Sequence, residues 1–599
     1  MKQFWITLFG SILGVVIGAI LTGVLFVVLI GALIASAVDG ARSEAASRMP
    51  AGDLVLEIDL RAPRLDQRGR SPFAFADPLS LTDIVATLER ASRDDRVKGL
   101  LVRANEFGMA PGQAEEMRAA FARFSESGRF VIAHAQGFEG TGITNYFAVS
   151  GADEIWLQDT ATFSATGLAT ETLFLGGLFE QFDAVPEFLQ FYEYKNAANT
   201  YTERDFTEAH REATLSYLTS IFDTAIAASA ESRGMQAAQM ESLITSGPYN
   251  AEAALVAGLV DMLGQPAAAR MAALERAGDG SGLVEIEQYH RQQTQGPARR
   301  TNDPVIAIVG GQGPIVTGSG DAGFGGGEMI GGDFLADAID EAADSDSVRA
   351  IVMRIDSPGG SAIASDQVWD AVVRARQAGK PVVVSMGSVA ASGGYYVAAP
   401  ADLIVANATT ITGSIGVLAG KVVIAGTLDR VGVNIEPLAV GGEYVTAYSG
   451  QQTWTESQRE AYTAMAEGIY ADFTGKVAEG RQLPLDQVQE VARGRVWTGA
   501  QALELGLVDR IGGLHEAIDA ARELAGIETD QAVSLRTFPR QPTPLEAFQR
   551  LFGISAEGAQ AAARLGVLMD LPEIAAAIEA RQEASRPGVR LQAVDPLPR

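Results

Sequence analysis

The sequence predicts two tandem α/β domains with mainly parallel sheets, preceded by one N-terminal transmembrane helix. Three observations lead there: an uninterrupted apolar N-terminus, an internal repeat through most of the remaining chain, and an alternation of short β-rich runs with amphipathic helical stretches.

The N-terminus comes first. From Gln3 to Val38 there is no charged side chain, and most positions are apolar. A bilayer core of about 30 Å needs roughly 20 helical residues, so this run is long enough to cross, and Gly14 and Gly18 are small enough to permit helix contacts. A cleaved signal peptide has a shorter apolar region of about 7–15 residues; Ala35-Ser36-Ala37 imitates its cleavage site, but the length favours an uncleaved anchor with its flank over residues 1–40. Lys2 and the amino terminus favour a cytoplasmic start, which would put the rest of the chain on the far side of the membrane.

The repeat is long. Arg96 to Arg103 resembles Ser347 to Arg354, each a helix end running into a buried strand, and Gly128-Arg129-Phe130-Val131-Ile132 answers Gly379-Lys380-Pro381-Val382-Val383 at the same offset of 251 (379 minus 128). Tyr146-Phe147-Ala148 and Ala152-Asp153-Glu154-Ile155 parallel Tyr395-Tyr396-Val397 and Ala401-Asp402-Leu403-Ile404, and Ala257 to Asp261 mirrors Leu505 to Asp509. Within each copy, β-rich runs alternate with helical stretches such as Ser80 to Ala91 and Ile363 to Gln377, the pattern of βα units. The expected domains are therefore residues 50–277 and 303–526. Between them, 278–302 reads as a linker of Gly, Gln, Arg and Pro without periodicity, and 527–599 reads as a Pro-punctuated tail with one or two helices, for instance Leu545 to Arg564.

Composition excludes several functions. The chain of 599 residues exceeds what one core usually supports. Its 46 basic and 74 acidic side chains give a net charge of −28, which repels phosphate backbones, so no nucleic-acid partner is expected. There is no cysteine, hence no disulfide framework and no thiolate metal site. No histidine pair has zinc-ligand spacing such as H-E-x-x-H, and the Gly-rich segment Thr317 to Gly332 lacks the G-K-[ST] ending of a phosphate loop, so it reads as a flexible loop near the cleft. No metal or other cofactor is expected.

The chemistry concentrates in the second copy. After the apolar strand Ala350 to Ile355 comes Asp356-Ser357-Pro358-Gly359-Gly360-Ser361, a strand-to-helix turn whose glycines leave backbone N–H groups open to an oxyanion. After the next strand, Pro381 to Met386, comes Gly387-Ser388-Val389-Ala390-Ala391-Ser392-Gly393-Gly394, which sets Ser392 at another such turn, where a nucleophile belongs. Taken singly, a glycine turn and a serine helix cap are the ordinary explanations. The serine needs a base, and none of His134, His210, His290 and His515 is well placed for a Ser-His-Asp arrangement.

The Ser392-Gly393-Gly394-Tyr395 sequence, the Ser357-Pro358-Gly359-Gly360 turn and Thr412-Gly413-Ser414-Ile415-Gly416-Val417 together resemble the signal peptide peptidase A family, also called protease IV, in its long, duplicated bacterial form. The resemblance covers nearly the whole chain from the anchor to about Gly526. It implies crotonase-like or Clp-protease-like α/β units and a Ser-Lys dyad across the two copies, with the lysine in a Tyr-Lys-Ser-Ala segment. Here that segment is Tyr194-Lys195-Asn196-Ala197, with asparagine replacing the family's serine. It further implies that Ser414 orients Lys195, and that the N–H groups of Gly359, Gly360 or Gly393 receive the oxyanion. Remnant signal peptides and other apolar peptides would be the substrates, cleaved in the membrane or periplasm by a bowl-like homotetramer of a single-pass inner-membrane protein.

The repeat itself favours a composite site. Lys195 aligns with Val445 and Ser392 with Ile143, so each copy keeps one partner, and the first copy replaces the Pro-Gly-Gly turn by Phe107-Gly108-Met109. A free lysine with a pKa of about 10.4 would be charged at neutral pH, so burial has to lower it before it can accept a proton. Two other readings stand beside the protease: a crotonase-like enzyme acting on coenzyme A thioesters, which an extracytoplasmic location disfavours, and a membrane scaffold that retains only the fold.

Overall fold

The computed structural model describes residues 49–69, 78–140, 142–294, 303–320, 327–528 and 531–539. The expected span Gln3 to Val38 and the tail helices around Leu545 to Arg564 lie outside the described residues. No helix among the described residues is long and apolar enough to cross a membrane.

Each half carries a six-stranded parallel sheet of the same order. In the first half the strands run Met262–Leu263, Glu154–Leu157, Phe130–Ala135, Val97–Arg103, Leu54–Asp59, Gly282–Glu285. In the second they run Arg510–Ile511, Leu403–Ala406, Val382–Ala391, Val348–Ser357, Val305–Gln312, Ser534–Thr537. The inner strands are buried along nearly their whole length, which explains why they read as continuous apolar runs rather than alternating ones. A branch of the second sheet, Ile411–Gly413, pairs with the end of the Val382–Ala391 strand and continues antiparallel to Val496–Thr498.

The expected helices form where their apolar periodicity placed them. Leu81–Ala91 is capped by Ser80, whose side chain accepts the N–H of Asp83, and Ala362–Gln377 is capped by Ser361, which accepts that of Ala364. Each buries an apolar face, Leu81, Ile84, Val85 and Leu88 in the first and Ala364, Val368, Ala371 and Val372 in the second.

Two stretches differ from the expectation. Residues 278–302 are no simple linker: Gly282–Glu285 pairs with Leu54–Asp59, and Ile286–Thr294 is a helix that buries Ile286, Tyr289 and His290. Likewise Ser534–Thr537, from the expected tail, adds a strand beside Val305–Gln312. These two strands are counterparts, since Leu54 sits opposite Gly282 and Val305 opposite Ser534. The repeat therefore extends to a sixth strand that closes each sheet on the edge beside its own first strand. The Gly-rich stretch is also partly regular, with Ile330–Gly331 paired to Ile315–Val316 and the helix Gly332–Asp344 following.

Both halves lie within one compact unit. An antiparallel ribbon crosses between them, in which Val185–Phe191 of the first half pairs with Val417–Val423 of the second.

Candidate active site

Ser392 sits at a sharp corner between the buried strand Val382–Ala391 and the short helix Gly393–Ala398, with φ 53° and ψ −118°. A non-glycine residue with positive φ is uncommon and persists only where its surroundings enforce it. Here Ser392 N–H donates to the Gly413 carbonyl at 2.8 Å, and the Ser392 carbonyl accepts the N–H groups of Tyr395 and Tyr396, both at 2.9 Å. The corner pushes the hydroxyl out of the sheet.

The Ser357 to Ser361 turn runs alongside. Gly359 has φ 103°, and a Cβ there would stand 2.8 Å from Ser392 Cβ and 2.7 Å from Gly393 N, so only glycine lets the two loops touch. Its N–H donates to Ser357 Oγ at 3.1 Å and is already committed. Among the described residues the N–H groups of Gly360 and Gly393 form no hydrogen bond, and they lie side by side, since a Cβ on Gly393 would be 3.1 Å from Gly360 N. Of the three amides expected at an oxyanion, two are open.

Lys195 reaches this corner from the first half. It follows the ribbon strand Val185–Phe191, is 6% exposed, and its Nζ lies 3.0 Å from Ser392 Oγ, 2.7 Å from the Ser414 carbonyl oxygen and 3.0 Å from Ser414 Oγ. Burial lowers its pKa from the usual lysine value to about 8. A neutral amine has two N–H bonds and one lone pair. With both N–H groups directed to Ser414, the lone pair is left for the Ser392 hydroxyl. Ser414 is itself held at φ 52°, its N–H donating to the Arg495 carbonyl at 2.7 Å. Lys195 is thus within hydrogen-bonding reach of both serines expected to work with it.

No histidine takes part. His134 is buried with Nε2 3.0 Å from the Gly264 carbonyl, His290 pairs with Thr87 Oγ1 at 2.7 Å, His210 lies edge-on to Phe206, and His515 lies between Glu89 and Asp519.

The lysine loop depends on residues that sequence reading did not single out. Gly494, at φ 79°, packs so closely that a Cβ would fall 2.6 Å from Lys195 Cβ. On either side of it, Arg493 pairs with Glu193, and Arg495 lies over the Tyr194 ring while bonding Glu212. The Arg493-Gly494-Arg495 run was visible as a sequence, but nothing local ties it to a loop of the other half. In the first half the position of Ser392 is taken by Ile143, fully buried at the start of the equivalent helix Thr144–Val149, while Val445, opposite number of Lys195, is exposed.

The sequence profile of peptidase family S49 matches residues 123–278 and 374–528, once in each half. Among characterised proteins, the chain is 29% identical over 540 residues to the chloroplastic serine protease SPPA of Arabidopsis thaliana, covering 88% of this chain and 77% of that one. It is 30% identical over 473 residues to Protease 4 of Haemophilus influenzae, covering 76% and 74%. To Protease 4 of Salmonella typhi it is 30% identical over 512 residues, covering 82% and 80%.

Proposed function

The chain belongs to peptidase family S49, a serine-type protease related over most of its length to Protease 4, and from that premise we propose that it cleaves remnant signal peptides and other apolar peptides through a Ser392–Lys195 dyad. The observation that carries the proposal is the buried Lys195 amine 3.0 Å from Ser392 Oγ.

In the proposed cycle neutral Lys195 takes the hydroxyl proton as Ser392 Oγ attacks the scissile carbonyl carbon. The carbonyl oxygen becomes an oxyanion facing the N–H groups of Gly360 and Gly393; Gly359 serves by letting the turn approach, its own N–H being held by Ser357. The tetrahedral adduct collapses, the C–N bond breaks, and the lysine ammonium delivers its proton to the departing amine. In the second half-reaction Lys195 takes a proton from water as the water oxygen attacks the ester carbon, the acyl C–O bond to Ser392 breaks, and the lysine ammonium returns the proton to Ser392 Oγ. Ser414 keeps the amine aimed throughout. No cofactor enters the scheme.

A fluorophosphonate that labels serine nucleophiles tests the assignment. Wild type is expected to label at one site, Ser392→Ala not at all, and Lys195→Ala on the order of 10²–10⁴-fold more slowly, the usual worth of a general base. Undiminished labelling of Ser392→Ala sinks the proposal.

We further propose the family's setting: a single N-terminal span in the inner membrane, the catalytic region on the periplasmic side, and a homotetramer. Two segments support assembly. The ribbon strands Val185–Phe191 and Val417–Val423 have counterparts in the opposite halves, at an offset of 249, in residues 434–440 and 168–174. Neither counterpart forms any strand pairing among the described residues, and they expose Leu438 (97%), Val440 (97%) and Leu173 (64%). Pairing 434–440 of one copy with 168–174 of the next would repeat the internal junction head to tail, a heterologous contact that makes a ring when its rotation closes. Light scattering on the detergent-solubilised full chain should find an oligomer that Leu438→Asp with Val440→Asp splits into monomers; an unchanged mass would refute this interface.

A further inference from the structure

The strand entering the oxyanion turn and the strand entering Ser392 lose regular register between Ile355 and Ser357. In that gap the Asp356 side chain crosses from one to the other. Its Oδ1 accepts the N–H of Val389, three residues before the serine, at 2.9 Å. The crossing is tight, since a Cβ on Gly387 would stand 2.8 Å from Asp356 Cβ. On its other side the Asp356 carbonyl accepts Gly313 N–H at 2.9 Å, so the residue is held from both flanks.

The first half provides an internal control. The offset of 251 puts Asn105 at the position of Asp356 (356 minus 251). Asn105 folds onto its own turn: Oδ1 accepts the N–H groups of Phe107 at 3.0 Å and Gly108 at 2.8 Å, and Nδ2 donates to the Leu60 carbonyl at 3.0 Å. Gly140, which stands where Val389 does at the offset of 249, gives its N–H to the Glu106 carbonyl instead. Among the described residues, only the half that carries the serine has a carboxylate bridging the two loops.

We propose that Asp356 is a positioning residue for the peptidase reaction: its carboxylate locks Gly387 to Ser392 against Ser357 to Gly360 and so sets the serine oxygen relative to the amides that receive the oxyanion. It touches no reacting atom. The inference rests on Ser392 being the nucleophile and adds the group that holds it in register. The charged groups around Asp356 are Asp66, Arg354 of its own strand, and Glu116 of the helix Pro111–Glu126, which pairs with Arg354. Burial first, and then the charge of Asp66, raise Asp356 to about 6, against the pull of the Val389 N–H and Arg354. The carboxylate is thus charged at neutral pH and takes up a proton below about 6, where it becomes a weaker acceptor.

The test uses the full chain with Asp356→Ala and Asp356→Asn, the latter keeping the acceptor oxygen without the charge. At pH 8, Asp356→Ala is expected to lower kcat about 10²-fold with KM within about twofold, the pattern of a misaligned site rather than lost binding. Asp356→Asn should restore kcat to within about fivefold of wild type. Phosphonate labelling of wild type, absent in Ser392→Ala, tests the nucleophile separately, so failure of one idea is not failure of the other. Should Asp356→Ala not fold, the pH profile of Asp356→Asn decides. Wild-type labelling is expected to fall with slope one below about pH 8 and more steeply below about 6, and Asp356→Asn should lose only the steeper part. Wild-type kcat in a folded Asp356→Ala, an Asn variant as impaired as Ala, or a steeper limb that persists in Asn overturns the proposal.

Discussion

The Lys195 amine and the Ser392 hydroxyl, separated by 197 positions in the chain, lie 3.0 Å apart with Ser414 as the amine's two other contacts. Among the described residues no carboxylate is hydrogen-bonded to that amine, and burial is what lowers its proton affinity. This combination gives the site a pH signature distinct from that of a histidine-based protease.

With the lysine at about 8, only its deprotonated fraction can act as base. The value of kcat/KM is therefore expected to rise about tenfold per pH unit up to roughly pH 8 and then level off. A peptide-hydrolysis profile from pH 6 to 10 checks this; a limb centred between pH 6 and 7 would point to a histidine instead.

The same shift carries a cost in stability. The folded state holds Lys195 at about 8 and the unfolded chain holds it near its ordinary value, so between these two the unfolded state binds more protons and stability climbs with pH. Below about 8 both states carry the proton, and the penalty for a buried ammonium is fully present. A drop of this size corresponds to something on the order of 3 kcal/mol, offset in part by the contacts with Ser414. Lys195→Met should therefore raise Tm at pH 7 while abolishing activity, and the gain should shrink toward pH 10. A Tm lowered at pH 7 would contradict it.

Among the described residues Arg354 is the largest fully buried side chain, fixed bidentately by Asp66 at 2.6 and 2.9 Å and by Glu116 at 2.7 Å, with Ser385 Oγ at 2.9 Å. Burial opposes its charge, but the two carboxylates outweigh that and hold its pKa above the ordinary range. Since Asp66 and Glu116 belong to the first half and Arg354 to the second, removal of the arginine alone strands two buried carboxylates at the junction. Arg354→Met alone is expected to cost about 3–5 kcal/mol, read by chemical denaturation, whereas Arg354→Met with Asp66→Leu and Glu116→Leu should be far milder.

Much of this organisation was legible before any coordinates. The repeat offsets predicted twin parallel sheets, and two glycine turns at the ends of buried strands marked the site, because backbone geometry and close approach restrict which residues fit there. What escaped was non-local and carried by short segments. Gly282–Glu285 spans four residues and takes its meaning from Leu54–Asp59, more than two hundred positions earlier, so by itself it reads as linker. Ser534–Thr537 was hidden in the tail for the same reason. Nor could spacing reveal that Ser357 occupies the Gly359 N–H, or that Gly494 lies against Lys195, because side-chain and cross-domain contacts leave no local periodicity.

The ribbon that joins Val185–Phe191 to Val417–Val423 also imposes an order of events during biosynthesis. A ribosome that has produced only the first half has made a polypeptide with the amine but neither the alcohol nor its companion serine, and Lys195 has no Ser414 to meet. On the proposed reading, the ability to cut peptides arises only after the last third of the chain is under way and the two halves have docked, so an unfinished copy cannot digest its neighbours at the export site.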